Sequence, residues 1–127
     1  MNLLLDTHII LWYISGDEKL PKDIITIIND NSNRCFISIA SIWEIAIKLS
    51  LKKLEIKGGL GTIEDFLNNN DFELLPIDFD DTKVLLNLEF YHRDPFNRML
   101  ISQALASNLK LISKDNQFKK YNIEVLW

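Results

Sequence analysis

Residues 92–115 read HRDPFNRMLISQALASNLKLISKD, and this stretch decides the fold. Asp94 is followed by a proline, which is typical of a helix start, and the apolar spacing predicts a helix over 95–107. The apolar run 109–113 predicts a strand that ends before Asp115. Such a helix rises ~20 Å at about 1.5 Å per residue, and the returning strand covers ~17 Å at about 3.3 Å per residue. We therefore expect Asp94 and Asp115 to lie near each other.

Short apolar runs alternate with helical patterns along the rest of the chain. The predicted strands are 3–5, 34–37, 73–77, 109–113 and 124–126, and the predicted helices are 8–15, one from about residue 21, 38–51, 62–67, 80–88 and 95–107. Helix 38–51 is apolar on almost every side and is expected to be deeply buried. The alternation predicts an α/β fold, a three-layer α/β/α arrangement with a mainly parallel central sheet. Residues 52–70, which contain GGLG and three consecutive asparagines, are predicted as a mobile loop with a short helix.

Length and composition narrow the classes of protein. The chain has 127 residues, which predicts a single domain over 1–127. Its single cysteine excludes an internal disulfide, and no apolar run approaches the roughly 20 residues that a bilayer needs, so we expect a cytoplasmic protein without a membrane span.

Its 14 basic and 18 acidic residues give a net charge of −4. An acidic protein binds nucleic acid only through local basic patches or a bridging cation.

Four acidic residues are placed where a ligand site is expected. Asp6 and Asp115 follow predicted strands, Glu44 lies in the first turns of helix 38–51, and Asp94 begins a helix. The ends of parallel strands and the starts of the following helices share one edge of the sheet. Carboxylates forced together raise one another's pKa unless a cation holds them, and oxygen ligands suit Mg²⁺ or Mn²⁺. We therefore hypothesise metal-assisted phosphodiester hydrolysis at one or two such ions.

Each acid also has a simpler interpretation. Asp6, Asp94 and Asp115 could serve as helix N-caps. Glu44 could close a capping box with Ser41 or pair with a lysine one turn later.

Basic residues have two alternative roles in this hypothesis. Arg93 and Arg98 flank the start of the helix at Asp94 and are candidate phosphate clamps. The lysines of the region 48–57 either line the rim of the site or form a solvated helix face.

Four segments, taken together and in this order, resemble the PIN-domain family, with the closest likeness to VapC-type toxins of bacterial toxin–antitoxin pairs. They are LLLDTH at 3–8, SIASIWEIAIK at 38–48, HRDPFNRMLISQA at 92–104 and LISKDNQF at 111–118. The resemblance implies an α/β/α ribonuclease that uses Mg²⁺ or Mn²⁺, usually forms a homodimer and is silenced by an antitoxin whose tail occupies the active-site groove. It also implies that Asp6, Glu44 and Asp115 are metal-pocket acids. Thr7, Ser38 and Ser113 match hydroxyl positions of the site and are candidate substrate-binding residues.

At Asn97 the sequence departs from the family pattern, which usually reads HRDPFDR in this subfamily. Asn97 stands at the second aspartate of that pattern, and Asp94 remains three residues earlier on the same helical side. An amide offers a hard cation a carbonyl oxygen without charge, so metal affinity is expected to fall. Three explanations stay open: Asp94 substitutes, the protein is a naturally weakened nuclease, or Asn97 was introduced to make a toxic protein producible.

Two other functions compete with the nuclease. The first is a catalytically inactive PIN module that only binds RNA or an antitoxin, which Asn97 favours. The second is a phosphoacceptor receiver domain, which has a similar length. A receiver domain has adjacent acids after its first strand, whereas Asp6 is followed by Thr7 here.

Overall fold

The computed structural model describes residues 1–127 as a five-stranded sheet with six α-helices. The strands are Asn2–Leu5 (β1), Arg34–Ser38 (β2), Phe72–Leu75 (β3), Lys110–Ile112 (β4) and Val125–Leu126 (β5). The helices are Thr7–Ser15 (α1), Lys22–Asn29 (α2), Ile39–Ser50 (α3), Leu60–Asn69 (α4), Phe79–Leu86 (α5) and Pro95–Ser107 (α6), and a 3₁₀ helix spans Asn116–Lys120.

The sheet has the strand order β3-β2-β1-β4-β5, and every neighbouring pair is parallel. Successive side chains of a strand point to opposite faces, so Leu3 and Leu5 of the central strand share one face and Leu4 lies on the other. Leu3 and Leu5 belong to a core with α1 and α2, whereas Leu4 packs in a second core with α6. Helices therefore cover both faces, which confirms the predicted three-layer α/β/α fold.

The helix starts follow their capping residues. The Asp94 carboxylate accepts hydrogen bonds from the Phe96 and Asn97 N–H groups at 2.9 and 3.1 Å, which begins α6 where the sequence predicts it. Ser38 caps α3 by accepting from the Ala40 N–H at 3.0 Å. The capping box expected at Ser41 is therefore wrong, because the helix begins before it.

Three further expectations differ from the structure. Helix α3 is not deeply buried on every side, since Trp43 is 59% exposed and only one stripe of the helix faces the interior. Strand β3 ends at Leu75, before Pro76, because proline cannot donate a backbone hydrogen bond to a neighbouring strand. Helix α4 is longer than the predicted 62–67, and the mobility of 52–70 stays a prediction.

This topology determines where a site can form. The chain leaves the central strand β1 toward β2 on one side and reaches β4 on the other, so the strand order reverses at β1. In open parallel sheets the crevice at such a reversal, outside the carboxyl ends of the strands, is the usual place for a ligand. Asp6 and Ser113 follow the two strands that flank this crevice. None of the helices combines the length and the apolar character that crossing a membrane requires.

Candidate metal centre

Asp6 lies at the crevice and is buried, with 4% of its surface exposed. Its backbone N–H donates to the Ile112 carbonyl at 3.0 Å, and its Oδ2 accepts a hydrogen bond from the Ser113 hydroxyl at 2.8 Å. The same Ser113 oxygen accepts from the Asp115 N–H at 3.0 Å. Asp6 occupies the N-cap position of α1, yet its side chain makes no capping hydrogen bond. Its carboxylate is thus held at the junction of β1 and β4 and is not used to cap the helix.

Glu44 is the second buried carboxylate of this region, with 7% of its surface exposed. Its Oε2 forms an ion pair with the Lys48 ammonium at 3.0 Å, as one of the simpler interpretations predicts. Its Oε1 is buried and has no hydrogen-bond partner. A buried polar atom without a partner carries a desolvation cost that a ligand could offset.

The negative charge of Glu44 acts on Asp6, and the two residues are here called the acid pair. Burial is the main factor that raises the pKa of the Asp6 carboxyl, and the negative charge of Glu44 raises it further. The Ser113 hydroxyl, the charge of His8 and the Thr7 N–H oppose this rise. Because the charge of Glu44 disfavours a charge on Asp6, a cation near both carboxylates would relieve this repulsion.

The acid pair fits a hard divalent cation, because both side chains offer oxygen donors and one donor is unpartnered. The other two predicted acids do not join them. Asp94 and Asp115 are exposed and cap helices: Asp94 accepts from the Phe96 and Asn97 N–H groups, and Asp115 accepts from the Gln117 N–H. The structure contains no group of three or more Asp, Glu, His or Cys side chains arranged to hold a metal ion. The expected gathering of four carboxylates is therefore reduced to the acid pair, with the other two acids at the starts of α6 and the 3₁₀ helix.

The predicted hydroxyls of Thr7 and Ser38 have protein partners. The Thr7 hydroxyl donates to Ser41 at 3.0 Å, and the Ser38 hydroxyl donates to Gln103 Oε1 at 2.6 Å while it caps α3. All four side chains are buried. This arrangement favours a role in holding α1, α3 and α6 together over direct contact with a substrate.

Ser41 and Gln103 were not among the predicted site residues, although the sequence carries a signal for Ser41. Ser41, Glu44 and Lys48 lie at positions i, i+3 and i+7 of one helix, so they share a face of an otherwise apolar helix. Such a polar stripe marks the face that borders a polar site.

A comparison with models of protein families identifies the family of this chain. The sequence model described as PIN domain matches residues 3–124. The chain belongs to the PIN-domain family. No curated protein sequence matches it significantly.

Solved structures resemble this PIN domain over nearly its whole length. A chain in the crystal structure of DNA-bound VapBC from Salmonella typhimurium is 20% identical, with a TM-score of 0.77, over 99% of this chain and 97% of that one. A chain of VapBC2 from Rickettsia felis, bound to a DNA fragment from their promoter, is 19% identical, with a TM-score of 0.72, over 99% and 98%. A chain of VapBC-1 from nontypeable Haemophilus influenzae is 16% identical, with a TM-score of 0.75, over 99% and 97%. At these identities the likeness concerns the fold.

The two arginines of the PIN domain have different surroundings. Arg98 is buried, and its guanidinium donates to the Glu89 carbonyl at 2.7 Å, the Leu88 carbonyl at 3.1 Å and the Tyr121 hydroxyl at 3.3 Å. These bonds favour a structural role for Arg98 over the phosphate clamp expected from the sequence. Arg93 is exposed and remains a candidate for phosphate binding.

We expect Asp6→Asn to raise the stability of the metal-free protein at neutral pH. The pKa of Asp6 is raised, so folding opposes its ionisation, and the amide removes a cost of roughly 1–3 kcal/mol. Thermal unfolding in EDTA should show a rise of about 4 °C per kcal/mol. The difference should disappear toward acidic pH, where the carboxyl is protonated in both the folded and the unfolded protein. A lower melting temperature for the variant at pH 7 would contradict this account.

We expect Arg98→Met to lower the free energy of unfolding by roughly 2–3 kcal/mol, because two backbone carbonyls lose a charged donor. Arg93→Met is the matched control, and we expect it to change stability by less than about 0.5 kcal/mol. Urea denaturation measures both. Equal stabilities of the two variants would argue against the structural role.

Proposed function

We propose that this PIN domain is a divalent-cation-dependent endoribonuclease and the toxin component of a toxin–antitoxin pair. The observation that carries the proposal is the acid pair: Asp6 is buried at the switch point of a parallel sheet, the charge of Glu44 raises its pKa, and Glu44 has a buried carboxylate oxygen without a partner. Membership of the PIN-domain family supports the nuclease class. The similarity of the fold to chains of VapBC structures supports the toxin assignment.

In this proposal Asp6 and Glu44 would hold Mg²⁺ or Mn²⁺. Asp94, Asp115 and Asn97 are proposed to complete its surroundings, directly or through water. When bound, such an ion polarises a phosphodiester and lowers the pKa of water. Ser113 orients the Asp6 carboxylate by donating to Oδ2.

RNA is the proposed substrate, and Arg93 is proposed to bind its phosphates. The proposed protein partners are an antitoxin and a second copy of this chain. The similarity of the fold to a structure described as a member of the VapBC family of toxin-antitoxin systems, from Mycobacterium tuberculosis, supports an antitoxin partner.

The second candidate function is a PIN module that binds RNA or an antitoxin without cleaving. The observation that favours it is Asn97, which is half-buried in the first turn of α6 and supplies an amide where the subfamily pattern has an aspartate. The receiver-domain alternative is wrong. The strand order is 3-2-1-4-5, whereas receiver domains have the order 2-1-3-4-5, and the chain belongs to the PIN-domain family.

We expect the purified protein to cleave single-stranded RNA in Mn²⁺ and to lose this activity in excess EDTA. Glu44→Gln should lower the rate by at least about tenfold, because it removes a charge from the acid pair. Gel analysis of a labelled RNA pool measures both effects. Cleavage that persists unchanged in EDTA would contradict the proposal.

Asn97→Asp distinguishes the two candidate functions. We expect the new carboxylate to increase the cleavage rate at limiting Mn²⁺ by about tenfold or more. Asn122→Asp is the matched control, because it makes the same charge change at an exposed residue before β5, on the opposite edge of the sheet. Cleavage by the Asn97→Asp variant alone identifies the present chain as an inactive nuclease. Cleavage by neither protein favours the binding module.

A further inference from the structure

Lys48 is the one cation in direct contact with the acid pair. Its ammonium lies 3.0 Å from Glu44 Oε2, and no ion pair within 4.0 Å involves Asp6. Glu44 is buried, whereas the Lys48 side chain is 39% exposed. A buried carboxylate depends on its partner far more than an exposed one does, since its charge has little water to replace that partner.

The Lys48 side chain also borders a groove of about 600 Å³ between α1, α3 and α4. Four further side chains that could meet a nucleic acid line this groove, namely His8, Trp12, Lys53 and Lys57. Lys53 and Lys57 balance the negative charges of Asp17 and Glu55, so an ammonium of Lys48 released from Glu44 would give this groove an excess of positive charge. The flexible stem of Lys48 allows its ammonium to reach either Glu44 or this groove.

We propose that Lys48 is an exchangeable counter-ion, a role that rests on the proposed function. Without a divalent cation its ammonium neutralises Glu44. When a divalent cation binds the acid pair, the ammonium is displaced into the groove and binds a phosphate of the substrate strand.

The exchange follows from charge. The Glu44 carboxylate attracts a doubly charged ion more strongly than it attracts the singly charged ammonium of Lys48. Two cations bound to the same carboxylate would also repel each other. Binding of a divalent cation therefore displaces the Lys48 ammonium, and the lost Lys48–Glu44 ion pair weakens the affinity for the cation. A phosphate that captures the displaced ammonium favours cation binding, and by linkage the cation favours phosphate binding to the same degree.

Three substitutions test the exchange by Mn²⁺ titration calorimetry. Lys48→Met removes the competing charge and should tighten Mn²⁺ binding about fivefold. Lys53→Met makes the same charge change in the same groove without touching a carboxylate, so its Mn²⁺ affinity should match that of the unmodified protein. Lys48→Arg keeps the competing charge and should restore the original affinity. Weaker or unchanged binding by Lys48→Met, or tightening by both methionine variants, would overturn the exchange.

A second readout follows the displaced ammonium. The probe is a nuclease-resistant 2′-O-methyl phosphorothioate RNA decamer, whose affinity is measured against salt concentration. In Mn²⁺ the slope of log Kd against log salt should be smaller in Lys48→Met by about 0.7, the contribution of one phosphate contact to a single strand. In EDTA the two slopes should agree. Equal slopes in Mn²⁺ would overturn the proposal.

The two proposals fail in different ways. If the unmodified protein, Lys48→Met and Lys48→Arg all fail to bind Mn²⁺, the metal site of the proposed function is wrong and the exchange is overturned with it. If Mn²⁺ binds the acid pair with equal affinity in all variants, only the exchange is overturned.

Discussion

The site depends on two carboxylates that are buried with too few partners. Asp6 has the Ser113 hydroxyl and Glu44 has the Lys48 ammonium, yet Glu44 Oε1 has no hydrogen-bond partner and burial raises the pKa of Asp6. A protein retains such an unfavourable arrangement where it serves a function, since apolar residues would pack there at lower cost. The surrounding fold maintains it: parallel β1 and β4 place Asp6 beside Ser113, and the stripe of α3 that faces inward carries Glu44.

Much of this arrangement can be predicted from the sequence, because hydrophobic periodicity and capping residues act locally. The alternation of elements, the start of α6 at Asp94 and the position of Asp6 at a strand end follow directly from such signals. The exposure of Trp43 does not, since apolar composition alone does not say which stripe of a helix meets the sheet. The side-chain directions of Asp94 and Asp115 could not be predicted either. Topology places both residues near one edge of the sheet, but the N–H groups that they cap determine where their carboxylates point.

The individual basic residues of this acidic protein have different surroundings and different roles. The Arg98 guanidinium donates hydrogen bonds to two backbone carbonyls and stabilises the segment before α6. Lys48, in contrast, lies between a buried carboxylate and an open groove. The net charge of −4 therefore says little about the site, where the proposed function depends on individual ammonium groups and a divalent cation. Asn97 can offer a cation its amide oxygen but no negative charge. In the proposed function, its effect depends on how much of the cation's charge Asp6 and Glu44 neutralise without it.

The most direct test of the central claim is an anomalous diffraction map of crystals soaked in Mn²⁺. The account predicts a peak within coordination distance of both Asp6 and Glu44 carboxylates, with the Lys48 ammonium displaced from Glu44. A map without a peak at the acid pair, or with its strongest peak on another face of the molecule, would contradict the account.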